Sequence, residues 1–213
     1  DIIKQTGFQN YSIDLIYGTP GQSMEGWVKD LRTAFELGVP HLSCYALTVE
    51  EKTALNSLIQ RGELLGVNQD EQADRFETLM QLAADAGYHH YEISNFALPG
   101  YESKHNCAYW EGVVYLGFGP SAHSFDGNKR KWNISNNNAY IKSLTNHVLP
   151  HKEETLSKKD VLNEYIMTAL RQSKGIEKKI LLQKGGQTCL NEITNLIKPY
   201  LNTQKVVEDV TGW

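Results

Sequence analysis

The chain has 213 residues, of which 40% are hydrophobic, 10% aromatic and 22% charged, and its 21 Lys and Arg against 25 Asp and Glu leave a net charge of −4. These values exclude the disordered, collagenous and low-complexity classes, and the faintly acidic balance argues against a nucleic-acid partner. No run approaches the roughly 20 apolar residues of a membrane span, no secretory leader pattern is visible, and three scattered cysteines form no disulfide framework, so a reducing, cytoplasmic setting is expected.

The chain starts at Asp1 inside what reads as a helix tail and stops at Trp213 on a strand-like Val-Val-Glu-Asp-Val-Thr-Gly-Trp run, so both ends are expected to lie inside a longer protein. Tyr11 to Tyr17 is β-branched and aromatic, and Gly18-Thr19-Pro20-Gly21 closes it as a strand and tight loop. Ser23 caps a helix with Trp27, Leu31, Ala34, Phe35 and Leu37 on its apolar face and Gly38 as its stop. A second strand covers His41 to Thr48, a short helix spans about 53–61, and Asp70 to Ala86 is a longer helix that repeats Ala73, Phe76, Leu79, Met80 and Ala83 before Gly87. A third strand is expected over His89 to Ser94 and a fourth over Val113 to Leu116. Strands separated by helices of this length predict parallel pairing, in an open doubly wound sheet or in part of a (β/α) barrel, with ligands at the strands' carboxyl ends either way.

After Phe125 the character changes. Asp126 to Arg130 reads as a turn, Lys131 to Ser135 as a short strand and Ala139 to Asn146 as a helix. The charged stretch His151 to Asp160 reads as a linker, with Glu153 and Glu154 as solvated surface. Three helical segments near 160–172, 176–184 and 187–199 follow, the first with Val161, Leu162, Tyr165, Ile166, Ala169 and Leu170 on one face. The organisation predicted is an α/β part over 1–125, a connecting segment over 126–150 and a small helical domain over 151–213.

Gly18 to Ser23 is a Gly-rich loop between strand and helix, with the Gln22 amide at the mouth of the sheet; no Lys precedes Ser23, so it is not a Walker loop. Gly117-Phe118-Gly119-Pro120-Ser121-Ala122 matches G-x-G-x-x-A, but Pro120 removes a donor and position 137 is Asn rather than an acid. Its glycines fit a close approach of backbone to a ligand or a neighbouring element. Four of the seven histidines, His89, His90, His105 and His123, fall between 89 and 123. A zinc site from His105, Cys107 and His123, with His89, is disfavoured because His-x-Cys offers no second ligand pair. On a helix, His105 and Tyr109 share a face, with Asn106 and Trp110 beside them. An imidazole, an amide and two flat rings suit a planar or macrocyclic ligand better than acid–base catalysis.

Four stretches carry a resemblance: Asp14 to Gln22, Tyr91 to Ala97, the H-N-x-x-Y-W run at 105–110, and Tyr115 to Phe125. The chain resembles the radical S-adenosylmethionine (SAM) proteins of the oxygen-independent coproporphyrinogen III oxidase group, and within it the heme chaperone branch. The resemblance implies the second half of a partial TIM-type (β/α)6 barrel followed by a helical, winged-helix-like domain, in a parent protein that carries S-adenosylmethionine and a [4Fe–4S] cluster. It implies that Gln22 contacts S-adenosylmethionine, that backbone groups of Phe96 and Ala97 meet its adenine, and that Arg32 is the nearest match to an Arg some members use. It associates His105, Asn106, Tyr109 and Trp110 with heme, His105 as the iron ligand, and points to heme or porphyrin and heme-accepting client proteins as partners. The group's C-x-x-x-C-x-x-C motif is absent, and Cys44, Cys107 and Cys189 do not replace it, so this chain is expected to hold no cluster and to lack radical chemistry by itself. The competing readings are a true oxidase that decarboxylates coproporphyrinogen III, and an α/β binding module without chemistry. An isolated half-barrel is also expected to self-associate through its open strand edge.

Overall fold

The computed structural model of the chain describes residues 2–213; Asp1 lies outside the described residues. They form two compact units, one up to Ser103 and one from Lys104 to Trp213, a division that falls before the change of character after Phe125.

In the first unit the order is α1 (Ile2–Gln5), β1 (Ser12–Tyr17), α2 (Met24–Glu36), β2 (His41–Ala46), α3 (Ala54–Gln60), α4 (Gln69–Asp85), β3 (His89–Glu92) and β4 (Asn95–Ala97). The helices start where side-chain oxygens take up orphan amides: Ser23 accepts from the Gly26 N–H, Thr53 from Asn56, and Asn68 from Asp70 and Glu71. Two of them stop at glycines in the left-handed region, Gly38 at φ +63° and Gly87 at φ +83°. Trp27, Leu31 and Ala34 of α2 and Leu79 and Ala83 of α4 form one core with Leu42, Cys44 and Phe96 of the sheet, and the Trp27 indole N–H donates to the Arg75 carbonyl at 3.0 Å.

The sheet runs β1-β2-β4-β3, and only β1 and β2 are parallel. The expected third strand is a hairpin instead: β4 pairs antiparallel with both β3 and β2. The reason is local. The buried Glu92 carboxylate accepts from the Ser94 N–H at 3.0 Å and from the Asn95 amide at 2.6 Å, which turns the chain back after two residues.

The second unit holds α5 (Lys104–Trp110), β5 (His123–Phe125), β6 (Lys129–Asn133), α6 (Asn137–Thr145), β7 (His151–Thr155), α7 (Lys158–Ala169) and α8 (Lys178–Asn202), with an antiparallel sheet β5-β6-β7. Three expectations are corrected here. Val113 to Leu116 forms no strand; Tyr115 alone bridges to Phe125, while Val113, Val114 and Leu116 stay exposed. The charged stretch after His151 is strand β7 rather than a linker, because Glu153 and Glu154 face the cations of β6: Lys129 to Glu153 is 2.8 Å and Arg130 to Glu154 is 3.5 Å. Ser157 and Asp160 then close a capping box that starts α7. The run before Trp213 is no strand either; Gly212 bridges to Glu177, and Trp213 exchanges backbone hydrogen bonds with Ile176. The three helical segments stand, since α8 breaks at Gly186, whose φ is +75°.

Candidate functional site

In the first unit the loop after β1 is held shut by its own side chains. The Gln22 amide oxygen accepts from the Gly18 N–H at 2.8 Å, and its NH2 group points to the Ile16 carbonyl at 3.4 Å. From α4, Arg75 donates to the Gln22 carbonyl and, at 2.9 and 3.0 Å, to the Glu71 carbonyl and carboxylate; it is 5% exposed and its Nε has no partner. Gln72 packs on the Gly18 Cα and donates to the Leu47 carbonyl at 2.9 Å. The loop with Leu65, Gly66, Asn68, Glu71 and Arg75 lines a cavity of about 210 Å³. Gln22 thus stands where expected, at the carboxyl end of β1, while Arg32 is exposed on α2.

Phe96 and Ala97 are not brought to that end. They are fully buried in β4, flanked by strands on both sides, with Phe96 opposite Leu42 and Ala97 opposite His41. The loop follows the row of Tyr17 and Ala46, and the five residue steps from His41 to Ala46 put the two places roughly 16 Å apart along the strands. The antiparallel return of β4 carries them away from the loop.

The face of the sheet opposite the helices carries polar groups that sequence reasoning passed over. His41 Nε2 lies 2.6 Å from the Tyr91 hydroxyl, which accepts from the Ser103 N–H at 3.1 Å. His41, Ser43, Glu92 and Asn95 are all buried, and His41 Nδ1 and Asn95 Oδ1 lack partners. Burial pushes the His41 imidazole pKa down, a shift opposed by Asp14 and Glu102. The signal was present as polar residues at alternate positions of His41-Leu42-Ser43-Cys44, a strand with one polar face.

In the second unit all four candidates lie on α5, and the structure brings His105 and Tyr109 into contact. The His105 and Tyr109 rings meet edge to face at 4.9 Å, one helical turn apart, and Tyr109 meets Tyr115 edge-on at 4.7 Å. His105 and Tyr109 are exposed, Asn106 and Trp110 half-buried. Tyr109, Trp110, Tyr115 and Phe125 form one wall of a cavity of about 440 Å³. Its other wall is α7, whose Val161, Glu164, Tyr165 and Thr168 recur at helical spacing. At its edge Arg130 forks onto Glu164 with two bonds of 3.0 Å, and Lys184 stands over the Tyr165 ring at 5.9 Å. Side-chain bonding to Glu164 holds the Arg130 guanidinium above its ordinary pKa. The glycines before this wall serve a close approach: a Cβ on Gly117 would lie 2.1 Å from the His123 carbonyl oxygen.

A cluster of iron and sulfide does not fit the residues present. Among the described residues no group of three His, Cys, Asp or Glu is placed to hold a metal ion. Cys44 is buried, and desolvation pushes its thiol up to about 12.

The fold has a counterpart among solved structures. The chain matches, over 98% of its length and 52% of the other chain, the structure of coproporphyrinogen III oxidase (HemN) from Escherichia coli, a radical SAM enzyme, with a TM-score of 0.74 and 21% identity. Heme chaperone HemW of Lactococcus lactis is 39% identical over 174 residues, and that of Bacillus subtilis is 36% identical over 186. These matches cover 82% and 87% of this chain but 46% and 49% of the relatives, so the chain spans about half the length of the curated relatives it matches. No family model matches it. The chain is a homologue of the HemW and HemN-like radical SAM proteins, the group to which its motifs pointed. No helix among the described residues is long and apolar enough to cross a membrane.

Proposed function

We propose that the chain is the heme-binding part of a HemW-like radical SAM protein that delivers heme to client proteins. The observation that carries this reading is the His105–Tyr109 pair, an exposed imidazole set edge-on to a ring that continues as Tyr109, Trp110, Tyr115 and Phe125 into the 440 Å³ cavity. A neutral imidazole is a usual axial donor to heme iron, and a cavity of this size with an aromatic wall suits a flat macrocycle. Gln22 would contact S-adenosylmethionine at the carboxyl end of β1. Phe96 and Ala97 are left out of this proposal because the ladder occupies both their sides. The [4Fe–4S] cluster would rest on thiolates supplied from outside these residues, and the open edge of β1 supports reading the sheet as part of a larger barrel. The absence of a disulfide among the described residues suits a reducing, cytoplasmic setting.

Titration of hemin into the chain, followed at the Soret band, tests the reading. A shifted, saturable band is expected, weakened in Tyr109→Ala and changed in ligation signature in His105→Ala. A chain that binds no heme, from a protein that turns over coproporphyrinogen III, would establish the oxidase reading instead.

A further inference from the structure

Arg130 is the one guanidinium on the wall of the aromatic cavity. Its surroundings are written for a carboxylate. From β6 it presents a planar pair of donors that Glu164 of α7 accepts at 3.0 Å and 3.0 Å, with Glu154 at 3.5 Å and the Phe125 ring 5.9 Å beneath it. Two carboxylates therefore compete for one fork, and both are partly exposed, so either can turn to water without leaving a buried charge. Glu164 lines the same cavity as the aromatic wall, so a flat ligand seated there sets its edge against the Arg130–Glu164 pair.

We propose that Arg130 reads the carboxylate edge of the macrocycle, and that Glu164 is a built-in competitor which holds Arg130 while the cavity is empty and is displaced by a propionate when heme enters. This rests on the heme reading above and adds to it which substituents the site selects. The exchange breaks one guanidinium–carboxylate fork and forms another, with no change of protonation. Its consequence is a weakened hold on heme, which suits a protein that passes its ligand on.

The test compares hemin with hemin dimethyl ester, whose propionates carry no charge, on the 213-residue chain and on Arg130→Gln, Arg130→Lys and Glu164→Gln, each checked for folding by circular dichroism. Wild type is expected to bind hemin about threefold more tightly than the ester, because the fork formed with a propionate is offset in part by the fork lost from Glu164. Arg130→Gln should lose that preference, Arg130→Lys should keep part of it, and Glu164→Gln should bind hemin several-fold more tightly. Equal affinity of wild type for the two porphyrins, or an Arg130→Gln defect the same for both, would overturn the assignment while leaving heme binding intact. Weaker hemin binding by Glu164→Gln would overturn the competitor role. A wild-type chain that takes up neither porphyrin would overturn the heme reading itself.

Discussion

Gly18→Ala should destabilise the first unit by more than its backbone alone explains. Gly18 has φ +74°, and an added Cβ would lie 2.4 Å from Gln72 Cγ and 2.6 Å from its Nε2. Holding an L residue in the left-handed region costs about 1–2 kcal/mol. Gln72 cannot step aside freely, because its amide donates to the Leu47 carbonyl at 2.9 Å, a bond whose loss costs about 1 kcal/mol. The sum is about 2–3 kcal/mol. Gly21 supplies the control: it sits in the same loop at φ +80° with nothing within 4 Å of its would-be Cβ, so Gly21→Ala should cost only the backbone part. Urea unfolding followed by far-ultraviolet circular dichroism measures both. In a double-mutant cycle Gln72→Ala removes the obstacle, so the pair Gly18→Ala/Gln72→Ala should cost about 1 kcal/mol less than the two single changes added. Equal losses for Gly18→Ala and Gly21→Ala, or strict additivity in the cycle, would refute the clash. Because the Gly18 N–H holds the Gln22 side chain at 2.8 Å, the same change should also loosen the loop proposed for S-adenosylmethionine.

Two further outcomes follow from burial and close approach. The Cys44 thiol ionises near 9 when unfolded and near 12 when folded; between these values the folded state holds the extra proton, so stability falls as pH rises, by at most about 1.4 kcal/mol per pH unit. The stability gap between wild type and Cys44→Ala should therefore narrow from pH 9 upward in urea unfolding, and a gap independent of pH would contradict the buried neutral thiol. In the second unit, Gly175→Ala would set a Cβ 1.9 Å from the Trp213 carbonyl oxygen at φ +64°, and should cost about 2–3 kcal/mol by breaking the Ile176–Trp213 pairing. Red-shifted tryptophan emission should accompany the loss; unchanged emission and stability would place the Trp213 backbone elsewhere.

Much of the α/β framework was legible in the chain itself. The helices α2 and α4 carry their own start and stop signals, Ser23 with Gly38 and Asn68 with Gly87, together with apolar residues at helical spacing. The grouping of His105 with Tyr109 needed only the periodicity of one helix. Strand partners were another matter. Alternation assigns each residue of a strand to a face but names no neighbour, so the spacing of apolar residues does not separate a parallel third strand from the hairpin that Glu92 closes. His151 to Thr155 reads as a linker until Arg130 and Lys131 stand opposite Glu154 and Glu153.

The sequence by itself pointed to the HemW and HemN-like group, through short motifs that each need specific residues at fixed spacing. Only the tertiary structure decided what those motifs meet. Arg75 lies 53 residues beyond Gln22 and yet its guanidinium clamps that loop, and Glu164 lies 34 residues beyond Arg130 and yet completes its fork. Such partners are set by how helices pack on sheets, where burial rewards complementary surfaces whatever their distance along the chain, and no local pattern encodes that choice.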